Sequence, residues 1–288
     1  EENMTKFDHI YKDIVLDIIN NGKMQKGNVR SKYADGTPAY TKYIHGVNFV
    51  IEPDELPILQ SKRVAWKTAL IEMEWIWQEM SNDLDWLQER DCHIWDEWEI
   101  KEGFWNGTIG KAYGYQLRDK LRKVDEKWFN QVEYVIHQIK NNPRSRRILT
   151  TLYNVEELKD MALEPCVYET QWEVDDDDYL ILHVRQRSAD MALGSPFNVL
   201  QYSILHRLMA KSTGKKLGSM YWNIGNAHIY DRHLELLEKQ VTADISELEK
   251  EKPVLNLPEG SDFFATPLSE VDIKNYHHNG NFKYEVAI

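Results

Sequence analysis

Two cysteines, Cys92 and Cys166, stand in 288 residues. That is too few for a disulfide framework, and it fits a reducing, cytoplasmic setting. With so few thiols and no close Cys/His spacing, no zinc or other metal is expected. No apolar run reaches membrane-spanning length, and the start, Glu-Glu-Asn-Met-Thr-Lys-Phe, has no apolar signal core, so no membrane partner is expected. Positive charge is also scarce: 35 Lys and Arg face 47 Asp and Glu, for a net charge of -12. Such a balance gives no generic pull toward nucleic acid. An acidic chain that binds a phosphorylated small molecule has to gather its arginines in one place. Linkers rich in Pro, Gly and Ser, repeats and low-complexity blocks are all absent, which points to one domain over residues 1–288.

What is present is core. Hydrophobic residues make up 42% of the chain and aromatics 11%, with ten Trp and fifteen Tyr, which excludes a disordered chain. Apolar positions at Phe7, Ile10, Tyr11, Ile14, Val15, Ile18 and Ile19 predict an amphipathic helix over residues 5–21, ended by Asn21-Gly22. Further helices are predicted over 64–80, carrying Glu72 and Glu74, and over 126–141, 196–212 and 228–240. Strands are predicted over 40–52, 148–153, 168–174, 179–186 and 219–223, with a terminal strand or tail over 282–288. Asp175 to Asp178 reads as a solvated hairpin loop. Strands cluster centrally with helices around them, so the expected class is α+β.

The stretch from Glu164 to Asn198 holds the most chemistry. Cys166 follows Pro165 at an element boundary, and is either a small buried hydrophobe or a thiol nucleophile activated by nearby positive charge. Arg185 and Arg187, two apart, share a strand face and suggest anion binding. Arg146 and Arg147, beside an Asn-Pro turn, form either a phosphate clamp or a solvated basic turn. Arg30 is a further candidate. Asn198 is either a helix cap or an amide that pairs with a pyrimidine edge. Gly194 marks a tight turn or the close approach of a flat ligand. His228 and Tyr230 suit a sugar hydroxyl or a satisfied core. Glu72, on an apolar helix, is placed for a raised pKa and proton transfer. Trp95 and Trp98 offer stacking surfaces or core packing.

Together these segments resemble the folate-dependent thymidylate synthase family over nearly the whole chain. The resemblance rests on Pro165-Cys166, Gln186-Arg187-Ser188-x-Asp190, Leu193-Gly194-x-Pro196-Phe197-Asn198, His228-x-Tyr230, Ser145-Arg146-Arg147, Ile94-Trp95-Asp96-Glu97-Trp98 and the terminal Val286-Ala287-Ile288, in the family's order. Val167 after the cysteine and Asn223-Ile224-Gly225 before the histidine are most similar to the Bacillus-type branch. The resemblance implies a large twisted mixed sheet flanked by helices, with the sheets of a homodimer packed back to back. It implies that Cys166 attacks C6 of dUMP. Arg30, Arg187 and Ser188 then hold the phosphate, joined by Arg146 and Arg147 from the partner. Asn198 reads the uracil edge, and His228 and Tyr230 bind the deoxyribose. Glu72 organises water near O4, and Tyr113 orders the water that removes the C5 proton. Ile94, Trp95, Trp98, Asp190, Gly194 and Phe197 line a pocket for 5,10-methylenetetrahydrofolate. Lys62 lies near that folate's glutamate tail, and Ala287 and Ile288 close over the ligands. The folate gives a carbon and a hydride and leaves as dihydrofolate.

Departures from the family pattern are Gly225-Asn226 for the usual Gly-Asp, Tyr153 where Trp is common, and Glu74 where an apolar residue is usual. Two other activities compete. A dUMP hydroxymethylase of the same fold would let water trap the methylene. A non-catalytic RNA-binding member would need a basic stripe, which a net charge of -12 does not supply.

Overall fold

The computed structural model describes residues 6–258 and 260–288, so the first residue of the helix expected over 5–21 lies outside the described residues. The rest of that helix is α1 (Lys6–Asn21), which buries Phe7, Tyr11, Val15 and Ile18 as its apolar spacing requires. Next come the short β1 (Lys23–Met24), the long β2 (Thr41–Ile51), α2 (Trp66–Met73), α3 (Leu84–Gln88) and α4 (Gly114–Asp119). A two-stranded hairpin, β3 (Arg122–Val124) and β4 (Lys127–Phe129), leads into α5 (Gln131–Asn141). The central run is β5 (Ile148–Thr151), β6 (Val167–Val174), β7 (Tyr179–Asp190), α6 (Gly194–Thr213) and β8 (Lys216–Tyr230). Helix α7 (Leu234–Thr242) and the small pair β9 (Val254–Asn256) and β10 (Asp272–Lys274) follow.

Six strands form one sheet in the order β1-β2-β8-β7-β6-β5. Every neighbouring pair is antiparallel except β7 and β8, which run parallel across the α6 crossover. The sheet is therefore mixed, with helices packed against it: an α+β fold, as the strand clustering implies. Helix α6 is buried almost all round, including Val199, Leu200, Ile204, Leu205 and Leu208, because it lies between the sheet and α2. On β7 the buried residues Leu180, Leu182, Val184 and Gln186 alternate with more exposed ones, the period of two that marks one covered face.

Three of the helix expectations change. The helix over 64–80 is α only to Met73; Glu74–Gln78 is a π-helical turn, closed by Glu79 N donating to Glu74 O at 2.8 Å. The helix over 126–141 begins at Gln131, where Asn130 caps it by accepting from Glu133 N, and residues 127–129 are strand. The helix over 228–240 begins only at Leu234; β8 runs on through His228 and Tyr230, because β7 pairs with it as far as His228 and β2 as far as Tyr230. Of the strand or tail expected over 282–288, the structure forms the tail.

Candidate active site

The parallel pair β7 and β8 sets the position of the site. Ser188 lies opposite Asn226 and Asp190 opposite His228 near the carboxyl ends of both strands. Strand β6 runs the other way, so its first residue, Val167, meets the same end of the sheet opposite Gln186, with Cys166 just before it. The first turn of α6 brings Gly194 and Asn198 there as well. Ligands in sheets with parallel strands collect at such carboxyl ends beside a crossover.

Cys166 is half-buried at this convergence. Its amide donates to the Tyr113 hydroxyl at 3.3 Å, and Arg187 N donates to its carbonyl at 2.9 Å. The Arg187 guanidinium donates to the carbonyls of Pro165 (2.9 Å) and Glu164 (2.8 Å) and stands 3.9 Å from Cys166 Sγ. Burial pushes the thiol up, while the charges of Arg187 and Arg30 pull it down. Tyr113 is held with φ +47°, a sparsely populated conformation for a non-glycine residue, and burial pushes its phenol well up, so it stays neutral.

A cavity of about 230 Å³ opens beside the thiol. Cys166, Glu72, Asn198, Tyr113, Trp95 and Trp98 line it, with Ile94 at its edge. Trp95 packs edge-on against both Trp98 and Tyr113, at 5.7 and 5.3 Å between ring centroids. These aromatic walls fit a flat heteroaromatic ring system. Glu72 accepts from Trp95 Nε1 and from Gln201 Nε2, each at 2.8 Å, and burial pushes its carboxyl up.

Asn198 is not a helix cap, since Leu193 precedes α6 and Asn198 lies within it. Its amide is held from two sides. Trp222 Nε1 donates to Gln186 Oε1 at 3.0 Å, and Gln186 Nε2 donates to Asn198 Oδ1 at 3.2 Å. Asn198 Nδ2 donates to Gln201 Oε1 at 3.3 Å, and Gln201 Nε2 donates to the Ala69 carbonyl at 2.9 Å. An indole N–H only donates and a carbonyl only accepts. Both ends of the chain therefore demand the same orientation of the Asn198 amide. Gln201 and Trp222 were missed at the sequence level. Gln201 was findable, three residues after Asn198 on one helix face. Trp222 was not, because nothing local links it to residue 198.

The remaining candidates divide. His228 Nδ1 meets Asn226 Oδ1 at 3.2 Å, and burial pulls the imidazole down, keeping it neutral. Tyr230 packs edge-on to His228, 5.4 Å between centroids. Asp190 Oδ1 accepts from Ala192 N (3.1 Å) and Leu193 N (3.4 Å), shaping the turn into α6. Gly194 does not have a positive φ, and a Cβ there would meet only ordinary contacts at 3.8 and 3.9 Å, so the chain's own packing does not require glycine. Lys62 is buried, donates to the Ala192 carbonyl at 2.8 Å, and is pulled down to about 8 by that burial. Phe197 is half-buried against the core. Ser188 is half-buried beside exposed Arg187. Ile288 is exposed at the chain's end, and its backbone pairs with Lys32. Arg30 is exposed but near enough to influence Cys166. Arg146 and Arg147 are exposed and do not line the cavity. Arg185 does not join Arg187 at the thiol: it bonds Gln171 Oε1 at 2.8 Å and pairs with Glu169 at 3.5 Å.

Comparison with known proteins agrees with this geometry. The family model described as thymidylate synthase matches residues 9–288. Thymidylate synthase 1 of Bacillus spizizenii is 46% identical over 288 residues, covering 99% of this chain and all of that protein, 100%. The thymidylate synthase of Bacillus phage phi3T is likewise 46% identical over 288 residues, with 99% and 100% covered. A solved structure titled thermostable thymidylate synthase A from Bacillus subtilis superposes with a TM-score of 0.92 at 46% identity, covering 99% of this chain and 100% of that one.

Proposed function

The chain belongs to the thymidylate synthase family, and from that premise we propose that it converts dUMP to dTMP with 5,10-methylenetetrahydrofolate, releasing dihydrofolate. The observation that carries the reading is Cys166 Sγ, 3.9 Å from the Arg187 guanidinium, in a cavity walled by the oriented amide of Asn198. Residues 1–288 act as one catalytic domain.

The Cys166 thiolate attacks C6 of the uracil. A sulfur–carbon bond forms, the C5–C6 π pair moves toward O4, and C5 becomes the nucleophile. Arg187 serves twice, lowering the thiol pKa and holding phosphate with Arg30 and Ser188. Asn198 keeps an Oδ1 lone pair for N3–H and an Nδ2 hydrogen for O4, the pattern of uracil and not of cytosine. Glu72, with a carboxyl pushed up by burial, supplies or withdraws a proton near O4 through water. Tyr113, a neutral phenol beside the Cys166 amide, orders the water that takes the C5 proton. His228 and Tyr230 donate to or accept from the sugar hydroxyl. When bound, the folate supplies the one-carbon group and then the hydride. Ile94, Trp95, Trp98, Asp190, Gly194 and Phe197 hold it, and Ala287 and Ile288 close the site against water. The burial of Lys62 on the Ala192 carbonyl favours a role in holding the turn before Gly194, with any contact to the folate's glutamate made at that turn.

The working unit we propose is a homodimer. Opposite the helix-covered face, the sheet presents Asn48, His183, Arg185, Tyr221 and Asn223, half-buried to exposed and uncovered by any helix among the described residues. A second copy packed back to back covers that face, and Arg146 and Arg147, which do not line this chain's own cavity, reach the partner's phosphate site. The setting is cytoplasmic; among the described residues no helix is long and apolar enough to cross a membrane.

The test is an assay with dUMP and methylenetetrahydrofolate, followed at the dihydrofolate absorbance and by nucleotide analysis. Thymidylate with dihydrofolate is the expected outcome. A 5-hydroxymethyl nucleotide with tetrahydrofolate would overturn the reading in favour of a hydroxymethylase.

A further inference from the structure

The turn after Tyr230 joins two segments that lie far apart in the chain. Arg232 Nη2 donates to Asp35 Oδ2 at 2.9 Å and Arg232 Nη1 to Glu285 Oε2 at 2.7 Å. The guanidinium lies 4.2 Å over the Tyr33 ring, and Arg232 N donates to the Tyr33 hydroxyl at 3.2 Å. That hydroxyl donates in turn to Asp231. Tyr33 and Asp35 belong to the loop that carries Arg30, and Glu285 belongs to the tail that ends at Ile288. Loop and tail meet a second time: Lys32 N donates to Ile288 O at 2.8 Å, and Ile288 N to Lys32 O at 3.0 Å. His233 Nε2 adds a contact to the Glu285 carbonyl at 2.6 Å.

We infer that Arg232 is a positioning residue that makes the Arg30 loop and the C-terminal tail one closing unit. The inference rests on the proposed function for the identity of the two ligands. Each ion pair is half-exposed and weak alone. One planar fork, stacked on an aromatic ring and held by carboxylates from two segments, is what couples them. A lysine ammonium is a point charge without that fork. Closing the loop on the nucleotide phosphate then brings the tail toward the second ligand, and by linkage the tail returns the same favour to the nucleotide.

The signature is a crossed effect, read on Asp35→Asn, Glu285→Gln and Arg232→Lys by steady-state kinetics and by backbone amide exchange in the ligand-free protein. Asp35→Asn, on the nucleotide loop, is expected to raise the folate KM about twofold to fivefold, the range of an exposed ion pair. Glu285→Gln, on the tail, should raise the dUMP KM by a similar factor. Arg232→Lys should raise both, with kcat moving less and the melting temperature near that of the unaltered protein. All three should speed exchange at the Ile288 amide. Variants that affect only the ligand on their own side, or an Ile288 exchange rate unchanged by Asp35→Asn, would overturn the inference. If the unaltered protein turns over neither ligand, the proposed function fails, and the exchange rates alone still decide the coupling.

Discussion

Trp222 and Asn198 share no hydrogen bond, yet the indole of the first sets which edge of the second faces the cavity. Gln186 stands between them, accepting from Trp222 Nε1 at 3.0 Å and donating to Asn198 Oδ1 at 3.2 Å. A cytosine edge asks for the opposite amide orientation. Turning Asn198 over would set its Nδ2 against Gln186 Nε2, and turning Gln186 as well would set an amide donor against the indole donor. Under the proposed function, selection of uracil is thus anchored in the core, behind Asn198. Trp222→Phe removes the donor and leaves a buried acceptor unpaired, at a cost of about 1–3 kcal/mol in stability. The expected outcome is a lower urea midpoint together with a smaller ratio of dCMP to dUMP dissociation constants by calorimetry. An unchanged ratio would mean that the Gln201 side of the chain orients Asn198 without help.

Alkylation of Cys166 by iodoacetamide should have a steep pH dependence. Only the thiolate reacts, and burial holds this thiol above its ordinary range. In the ligand-free protein the rate should therefore rise about tenfold per pH unit through neutrality and level off only above about pH 9. Arg187→Ala removes a charge that lowers the pKa, so at pH 8 alkylation should slow by about threefold to tenfold, following the lost thiolate fraction. Cys92, buried and pushed up to about 11, provides the unreactive background. Faster alkylation in the Arg187 variant would reverse the assignment of its charge.

The proposed homodimer, with Arg146 and Arg147 reaching the partner's site, predicts complementation between inactive variants. Cys166→Ala should abolish turnover while leaving dUMP binding mostly intact. A protein altered at both Arg146 and Arg147 to Ala should lose phosphate affinity. Mixed in equal amounts and allowed to exchange subunits, half the dimers are hybrids with one native site each, so activity should recover to about a quarter of the unaltered level. No recovery, with exchange verified by mass spectrometry, would place these arginines outside the partner's site.

Gly114 follows the strained Tyr113 and presses on its neighbours: a Cβ there would lie 2.4 Å from Ser81 O and 2.7 Å from Ser81 N. Both are backbone atoms, so the chain itself must move. Gly114→Ala should destabilise by about 2 kcal/mol or more in urea unfolding. Turnover should fall more than stability alone explains, because the shift withdraws the Tyr113 hydroxyl from Cys166. A variant with unaltered unfolding would show that the loop has room to relax.

Much of this protein was legible because the relevant signals are local. The spacing from Phe7 to Ile19 was enough for α1, and the alternation in β7 follows from period two. The family resemblance carried by the motif from Pro165 to Asn198 singled out the thiol, the arginine and the amide that the fold brings to one end of the sheet. Where the reading of β8 erred, a partner outside the window decided. His228 and Tyr230 lie next to residues with helical spacing, but β2 keeps both in strand and β7 adds a second partner at His228. The π turn after Met73 and the hairpin before α5 are closed by local bonds, Glu79 N to Glu74 O and the pairing of residues 122–124 with 127–129, which the helical spacing of the flanking residues masked.

The sequence alone determined the set of candidate groups and the class of fold, since both are carried by residue identity and short-range period. Tertiary structure decided the orientation of those groups. Trp222 and Gln186 lie 36 positions apart, Gln201 and Ala69 132, and Arg232 and Asp35 197. A hydrogen bond or ion pair works over a few ångströms of space, whatever the distance along the chain. Only the packing of α6 against α2, and of β8 between β2 and β7, brings those partners into reach.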